Sequence, residues 1–391
     1  MHEGRVAIKN SLSVNDYDLV TPSVDIHTVG AGGGTIAGID LSGLMYAGPE
    51  GAGALPGPAA YGLGGTFPTV TDAHLVLGRL RPGPYADGSI ELDIAAAEKA
   101  INREIAKPLG ISCTDAASGI IRIVEQNLLH AVERISIQRG YNPGRFMLIA
   151  CGGAGPMHGS RVGRLLGAKA VYVPRQAGAF CAIGMQHADV RRDFVLVIMS
   201  VLEDGATSII RDGYKHLEEQ ARLALASEGF MESETTFEYG LDLHYEGQQW
   251  DVNLDLSRAA KPKDIRAAFE VEYDRQFGHT NPDGRINVSK IRVVGVGRLL
   301  PLAEPVYSFV NKTVNPFETR SVYYETLETF IDTPIYLGSD LNHGQVLKGP
   351  AIIEEATTTI LASPGDIVTV DHLNNYIITV SYTHLTLPTK A

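Results

Sequence analysis

Apolar and polar positions in the early part of the chain come in short bursts. Val24 to Val29, Thr35 to Ile39 and Leu44 to Ala47 are apolar-rich, and Gly-rich or Asp-Leu-Ser-Gly turns separate them. Segments this short, joined by turns this tight, predict a three-strand antiparallel meander. Gly48 to Gly65 is rich in glycine and proline and reads as an ordered loop of the kind that carries function or bridges domains. Helical patterns follow. Ile94 to Ala106 stops before Pro108. Asp115 to Gly140 places Ile120, Ile121, Val124, Leu128, Ala131, Val132 and Ile135 on one apolar face. Phe146 to Ala150 reads as a strand, residues from about Met157 to Leu166 as a helix, and Ala170 to Val173 as a strand.

The order strand-strand-strand-helix-strand-helix-strand predicts an α/β fold. It matches the ribonuclease H-like unit that, duplicated, makes the actin, sugar-kinase and heat-shock ATPase architecture. From about Val195 the texture changes. A helix over Ser208 to Glu228, alternating strands over Tyr239 to Tyr245 and Trp250 to Leu256, a helix over Lys263 to Phe277 and a strand over Lys290 to Gly297 predict an α+β unit. Residues from about Pro305 to Val380 read as β-rich, with Asn374 and Asn375 in a tight turn. The expected organisation is an ATPase-type domain over 1–194, an α+β, β-rich C-terminal domain over 195–380, and a non-native tail over 381–391.

Composition narrows the function classes. A chain of 391 residues with 44% hydrophobic residues supports two or three cores. A net charge of −12 without a basic block argues against gripping nucleic acid and favours a small-molecule substrate. Cys113, Cys151 and Cys181 share no ligand spacing, as expected of a reduced cytoplasmic protein. The start carries no signal core and no apolar run is long enough for a bilayer, so a soluble protein with no membrane partner is expected. Residues 1 to 20 read as a strand and linker entering from something upstream.

Two glycine turns carry the strongest chemical signal. Gly30, Gly32, Gly33, Gly34 and Thr35 lie between two predicted strands, where unobstructed backbone N–H groups suit a polyphosphate. A merely tight hairpin is the competing reading. The turn is not a P-loop, because it lacks the lysine and joins strand to strand. Gly152, Gly153, Ala154 and Gly155 follow a strand and open a helix, a place for phosphate or adenosine, or alternatively an ordinary strand-to-helix turn. Both turns are expected on facing edges of one nucleotide cleft.

Asp25 and His27 alternate on the predicted strand entering the first turn. They are candidates for acid–base work, for holding a magnesium-bound water, or for binding a metal directly; a hydrogen-bonded polar pair is the alternative. Thr71 and Asp72 are candidates for a phosphate or magnesium contact, Asp72 equally for the N-cap of a helix over Ala73 to Leu80. His158 is expected to line the cleft or to pack, and Cys151 to be a small core residue.

These segments together resemble the hydantoinase A/5-oxoprolinase/acetone carboxylase family. The resemblance lies in Val24 to Ala37, Gly48 to Gly53, Pro56 to Pro58, Tyr61 to Thr66 with Pro68 to Ala73, Cys151 to His158, and Gly349 to Glu355 with Pro364 and Gly365. It implies ATP, with Mg2+ or another divalent metal, and chemistry on an unreactive carbonyl: opening of 5-oxoproline or a hydantoin, or carboxylation of acetone. A lactam is a weak electrophile, and phosphorylating its oxygen creates a leaving group that water displaces. The resemblance further implies a hydantoinase B-type subunit and an N-terminal domain opening on Asp-x-Gly-Gly-Thr. Gly62 to Phe67 imitates that string without the aspartate and at the wrong place. The N-terminal domain is therefore expected to be missing, and this chain alone to bind ATP weakly.

Overall fold

The computed structural model describes residues 6–9, 12–14, 17–19, 23–85, 88–203, 205–300 and 305–380. The tail expected over 381–391 lies outside them. The fold is mixed α/β and divides into two compact units, residues 1–180 together with 304–391, and residues 181–303.

In the first unit, β1 (Thr35–Ile39) and β2 (Met45–Gly51) form an antiparallel hairpin. The expected third strand is different. Only Ser23–Val24 is extended, paired with Ile8–Lys9, and residues 25–29 run outside any ladder among the described residues. The other edge of β1 is taken instead: Ala37 N–H donates to the Pro68 carbonyl (2.9 Å), and Ile36 bridges Thr69.

Thr69 caps α1 (Val70–Val76), and Asp93 caps α2 (Ile94–Ile101) by accepting the Ala95 and Ala96 N–H groups. Ser112 caps α3 (Cys113–Ile135), whose Ala116, Ala117, Ile120, Ile121 and Val124 pack with Val70, Ala73, Leu77 and Ile101. The predicted stripe is buried over this first half only, since Ile135 is 40% exposed.

Next, β3 (Met147–Ile149), α4 (Gly155–Leu166) and β4 (Ala170–Val173) make a parallel strand–helix–strand crossover. Gly159 and Gly163 let α4 lie on the sheet. A Cβ at Gly163 would stand 2.4 Å from the Val171 side chain.

The second unit is an antiparallel sheet of β5 (Val190–Val201), β6 (Thr235–Tyr245), β7 (Val252–Leu256) and β8 (Ile286–Gly297), in the order β5-β8-β6-β7. The 194/195 position expected as a boundary lies within β5. Helices α5 (Ala206–Ser227) and α6 (Pro262–Phe277) supply Ile210, Tyr214, Leu217, Ile265 and Phe269 to a core with Leu241, Leu243, Ile291 and Val293. The period-two pattern of Tyr239 to Leu256 is realised in the register Tyr239↔Leu256 and Leu241↔Leu254.

The chain then returns to the first unit. Strands β9 (Glu318–Tyr324), β10 (Thr329–Leu337), β12 (Ala351–Glu354) and β13 (Thr359–Ala362) form one sheet. Strands β11 (Val346–Lys348), β14 (Ile367–Val370) and β15 (Tyr376–Thr379) join the earlier parallel pair in the order β11-β14-β15-β4-β3. Val171 opposes Ile378 and Val173 opposes Tyr376, all four with no exposed surface. Full burial of such side chains stabilises by about 1.5–3 kcal/mol each. Asn374 takes φ 61° in the turn before β15, matching its predicted place. The strands are thus divided among several sheets, and the segments expected to form one unit with residues 24–48 find their partners near residue 370.

Candidate functional site

The first glycine turn is held by its own threonine and by α1. Gly32 N–H donates to Thr35 Oγ1 (2.8 Å), and Thr35 N–H donates back to the Gly32 carbonyl (3.1 Å). The Gly33 carbonyl accepts twice from Thr71, from its N–H at 2.8 Å and its Oγ1 at 2.9 Å. Gly30 has to be glycine, because a Cβ there would lie 2.4 Å from the Pro49 carbonyl oxygen. A Cβ on Gly32 would meet nothing within 4 Å, so that side of the turn is open.

The second turn is held from behind by the C-terminal strands. Gly152 at φ 86° donates its N–H to the Ala177 carbonyl (2.8 Å). Thr358 Oγ1 lies 3.2 Å from the Gly152 carbonyl and donates to that of Gly153 at 2.9 Å. Ala154 then leads into α4 at Gly155, whose own Cβ position is also open.

The two turns meet. A Cβ on Gly33 would lie 3.6 Å from that of Ala154. Between them the N–H groups of Gly33, Gly34, Gly153, Ala154 and Gly155 have no protein partner among the described residues. Open backbone donors at contacting turns fit the oxygens of a polyphosphate.

The acidic and histidine candidates are placed differently from one another. Asp25 pairs with Arg139, just beyond the end of α3, while His27 is exposed. They do not alternate on a strand, because residues 25–29 form none. Asp72 is fully buried. Its carboxylate accepts from Ala60 N–H (2.7 Å), Thr69 N–H (2.7 Å), Thr69 Oγ1 (2.8 Å) and Ala59 N–H (3.3 Å). Burial raises its pKa above the usual carboxylate value, against the lowering effect of these bonds. Asp72 is the third residue of α1, not the N-cap of an Ala73–Leu80 helix; it completes the capping box with the N-cap Thr69 and ties the 59–61 turn to the helix.

Among the described residues no group of three His, Cys, Asp or Glu side chains is arranged to hold a metal ion. Asp25, one of the two residues expected to reach a metal, is engaged by Arg139.

Beneath the turns lies a polar cluster that sequence reasoning missed. His74 of α1 and His158 of α4 face each other with their Nε2 atoms 3.3 Å apart, and His158 Nδ1 is 3.5 Å from Glu125 Oε1. Arg161 Nε stands 2.7 Å from Glu125 Oε2. Burial, then the facing His158, then Arg79 hold the His74 pKa well below the ordinary histidine value, so this ring is neutral. Which ring donates across the Nε2–Nε2 contact depends on the tautomers. His74 Nδ1 is left a buried atom without a partner among the described residues. His158 therefore packs rather than lines the opening, at 3% exposure. Thr358 and Glu125 also went unnoticed in the sequence, because a lone threonine or glutamate carries no motif.

A family model described as "Hydantoinase/oxoprolinase" matches residues 1–194, and one for the "Hydantoinase/oxoprolinase C-terminal domain" matches residues 202–378. The chain belongs to the hydantoinase/oxoprolinase family. It is 34% identical over 385 residues to caprolactamase subunit alpha of Pseudomonas jessenii, covering 96% of this chain and 55% of that protein. It is 36% identical over 367 residues to the acetophenone carboxylase gamma subunit of Aromatoleum aromaticum, covering 88% and 49%. The crystal structure of the ATP-dependent caprolactamase from Pseudomonas jessenii superposes with a TM-score of 0.83 at 34% identity, covering 96% of this chain and 56% of that one. The chain spans about half the length of these relatives. No helix among the described residues is long and apolar enough to cross a membrane.

Proposed function

We propose that this chain supplies part of the nucleotide site of an ATP-dependent enzyme that opens a cyclic amide. The observation that carries the reading is the contact between the two glycine turns, Gly33 against Ala154, with their backbone donors unoccupied. ATP, when bound, supplies a phosphoryl group to the amide oxygen and so makes it a leaving group for water. The chain's part is to hold the polyphosphate. Backbone donors at Gly33, Gly34 and the start of α4 need no reorganisation when charge develops there. Mg2+ would come with the phosphates and their water, and Asp25 and His27 are this chain's candidates to reach it.

The proposal includes the actin-like reading of the fold, in which this chain forms one lobe and a domain with an Asp-x-Gly-Gly-Thr turn the other. It includes a hydantoinase B-type partner subunit, and exposed His27 as an acid–base group facing the substrate. The substrate class is a lactam, hydantoin or 5-oxoproline. The likeness to a carboxylase subunit supports a second reading, ATP-driven carboxylation of a ketone.

The test is phosphate release from ATP by the complete enzyme, offered 5-oxoproline, hydantoin, caprolactam, or acetone with bicarbonate. Stimulation by one of the cyclic amides supports ring opening. Stimulation only by ketone with bicarbonate replaces it with the second reading, and ATP-independent turnover ends both.

A further inference from the structure

We propose that Thr71 and Thr358 are positioning residues that aim the backbone donors of the two glycine turns. The inference rests on the nucleotide reading of those turns. The contacts are alike on the two sides: Thr71 Oγ1 donates to the Gly33 carbonyl at 2.9 Å, and Thr358 Oγ1 donates to the Gly153 carbonyl at 2.9 Å while lying 3.2 Å from that of Gly152.

A trans peptide is planar, so its N–H points opposite to its carbonyl. Drawing the Gly33 carbonyl toward Thr71 sends the Gly34 N–H the other way. Drawing the Gly152 and Gly153 carbonyls toward Thr358 does the same for the Gly153 and Ala154 N–H groups. Those three N–H groups are among the ones without a protein partner among the described residues.

Glycine makes this control necessary. The Gly33–Gly34 and Gly152–Gly153 peptides have little intrinsic preference between their two orientations, because neither flanking residue has a Cβ to oppose the flip. A side-chain hydroxyl on the carbonyl side supplies the preference. Both threonines are themselves held in place. Thr71 sits in the first turn of α1, with its N–H on the same Gly33 carbonyl, and is 6% exposed. Thr358 is 2% exposed, and its carbonyl accepts the Glu355 N–H at 2.9 Å, closing the tight turn between β12 and β13. The hydroxyl positions are thereby set by the surrounding backbone. Thr358 also makes the C-terminal strands part of the site, although they lie some 200 residues beyond the turn they hold.

The test uses the complete enzyme with Thr71→Val, Thr358→Val and the two serine variants, reading KM for ATP, kcat and the unfolding midpoint. Valine keeps the shape and removes the hydroxyl; serine restores it. The expected result is a rise in KM for ATP of about tenfold or more in each valine variant, with a smaller change in kcat. The serine variants should return KM to near the wild-type value, and the midpoints should stay close to wild type. Valine variants with wild-type KM, while ATP is still required, overturn the positioning role and leave the nucleotide reading standing. Serine variants as impaired as valine, or valine variants that fail to fold, assign the threonines to packing and also overturn it. Wild-type turnover that ignores ATP overturns the nucleotide reading and this proposal together.

Discussion

Replacing Asp72 tests whether its carboxylate serves the scaffold or the chemistry. Asp72→Ala removes an acceptor that satisfies three backbone N–H groups and one hydroxyl, all buried. A buried donor left without a partner costs about 1–3 kcal/mol. The Thr69 hydroxyl can rotate, and the lost charge relieves a burial penalty that is visible in the raised pKa. The net loss should therefore fall near 3–5 kcal/mol, at the upper end for a single substitution. Asp72→Asn keeps one oxygen but turns an amide NH2 toward donors, and should lose about 2–4 kcal/mol. At about 2–4 °C per kcal/mol for a unit of this size, the alanine variant should melt roughly 6–20 °C lower. The assay is thermal unfolding followed by circular dichroism, with urea unfolding as a second measure. Unchanged midpoints in both variants would refute the capping account and return Asp72 to the catalytic candidates. The sign of its pH effect is also determined. A carboxylate whose pKa is raised on folding contributes stability that is complete below its unfolded pKa and is lost as pH rises through the folded one, so Asp72 does not drive acid unfolding.

His74 behaves oppositely. With its folded pKa lowered by burial, the unfolded chain takes up a proton that the native one refuses, so stability should fall as pH drops below about 6.5, by up to about 1.4 kcal/mol per unit. Urea unfolding of wild type and His74→Phe across pH 5–8 checks this; equal slopes would show that His74 is not the group responsible. Gly349→Ala should destabilise by about 1–3 kcal/mol, because its Cβ would lie 2.1 Å from the Ser363 carbonyl oxygen. Gly213→Ala meets only side-chain atoms, Ile291 Cδ1 at 2.3 Å and Leu196 Cδ2 at 3.5 Å, and gains helix propensity, so its stability should stay within about 1 kcal/mol of wild type. His27→Ala in the complete enzyme should keep its unfolding midpoint and lose turnover; full activity would return His27 to the structural residues.

Local signals in the sequence were informative where the structure is locally determined. The apolar stripe from Ile120 locates α3, expected from Asp115 and observed from Cys113, and Gly152 to Gly155 mark the opening of α4. The alternation in β6 and β7 gives their shared face directly. Strand partnership was less legible. The stretch Asp25 to Val29 has strand composition, but Pro68 and Thr69 occupy the edge it would need. Likewise β15 looks the same in sequence whether it pairs with a near neighbour or with β4. The site divides in the same way. Its glycines were visible because they require bare backbone, whereas Thr358 and the His74–His158 contact are made between residues 205 and 84 positions apart or more. No pattern within one segment encodes such a meeting.

The pairing of β4 with β15 has a consequence for the order of events at the ribosome. Val171 and Val173 are made early, yet the strand that covers them carries Tyr376 and Ile378. At synthesis rates of about 5–20 residues per second, the roughly 200 residues between them take some 10–40 s to appear. During that interval β4 is an apolar strand with one edge unpaired, the kind of edge on which nascent chains associate. The second unit, encoded wholly within the gap, has all its own strands available before the first can close. Chaperone dependence should therefore concentrate on the first 180 residues while the later ones are still being made.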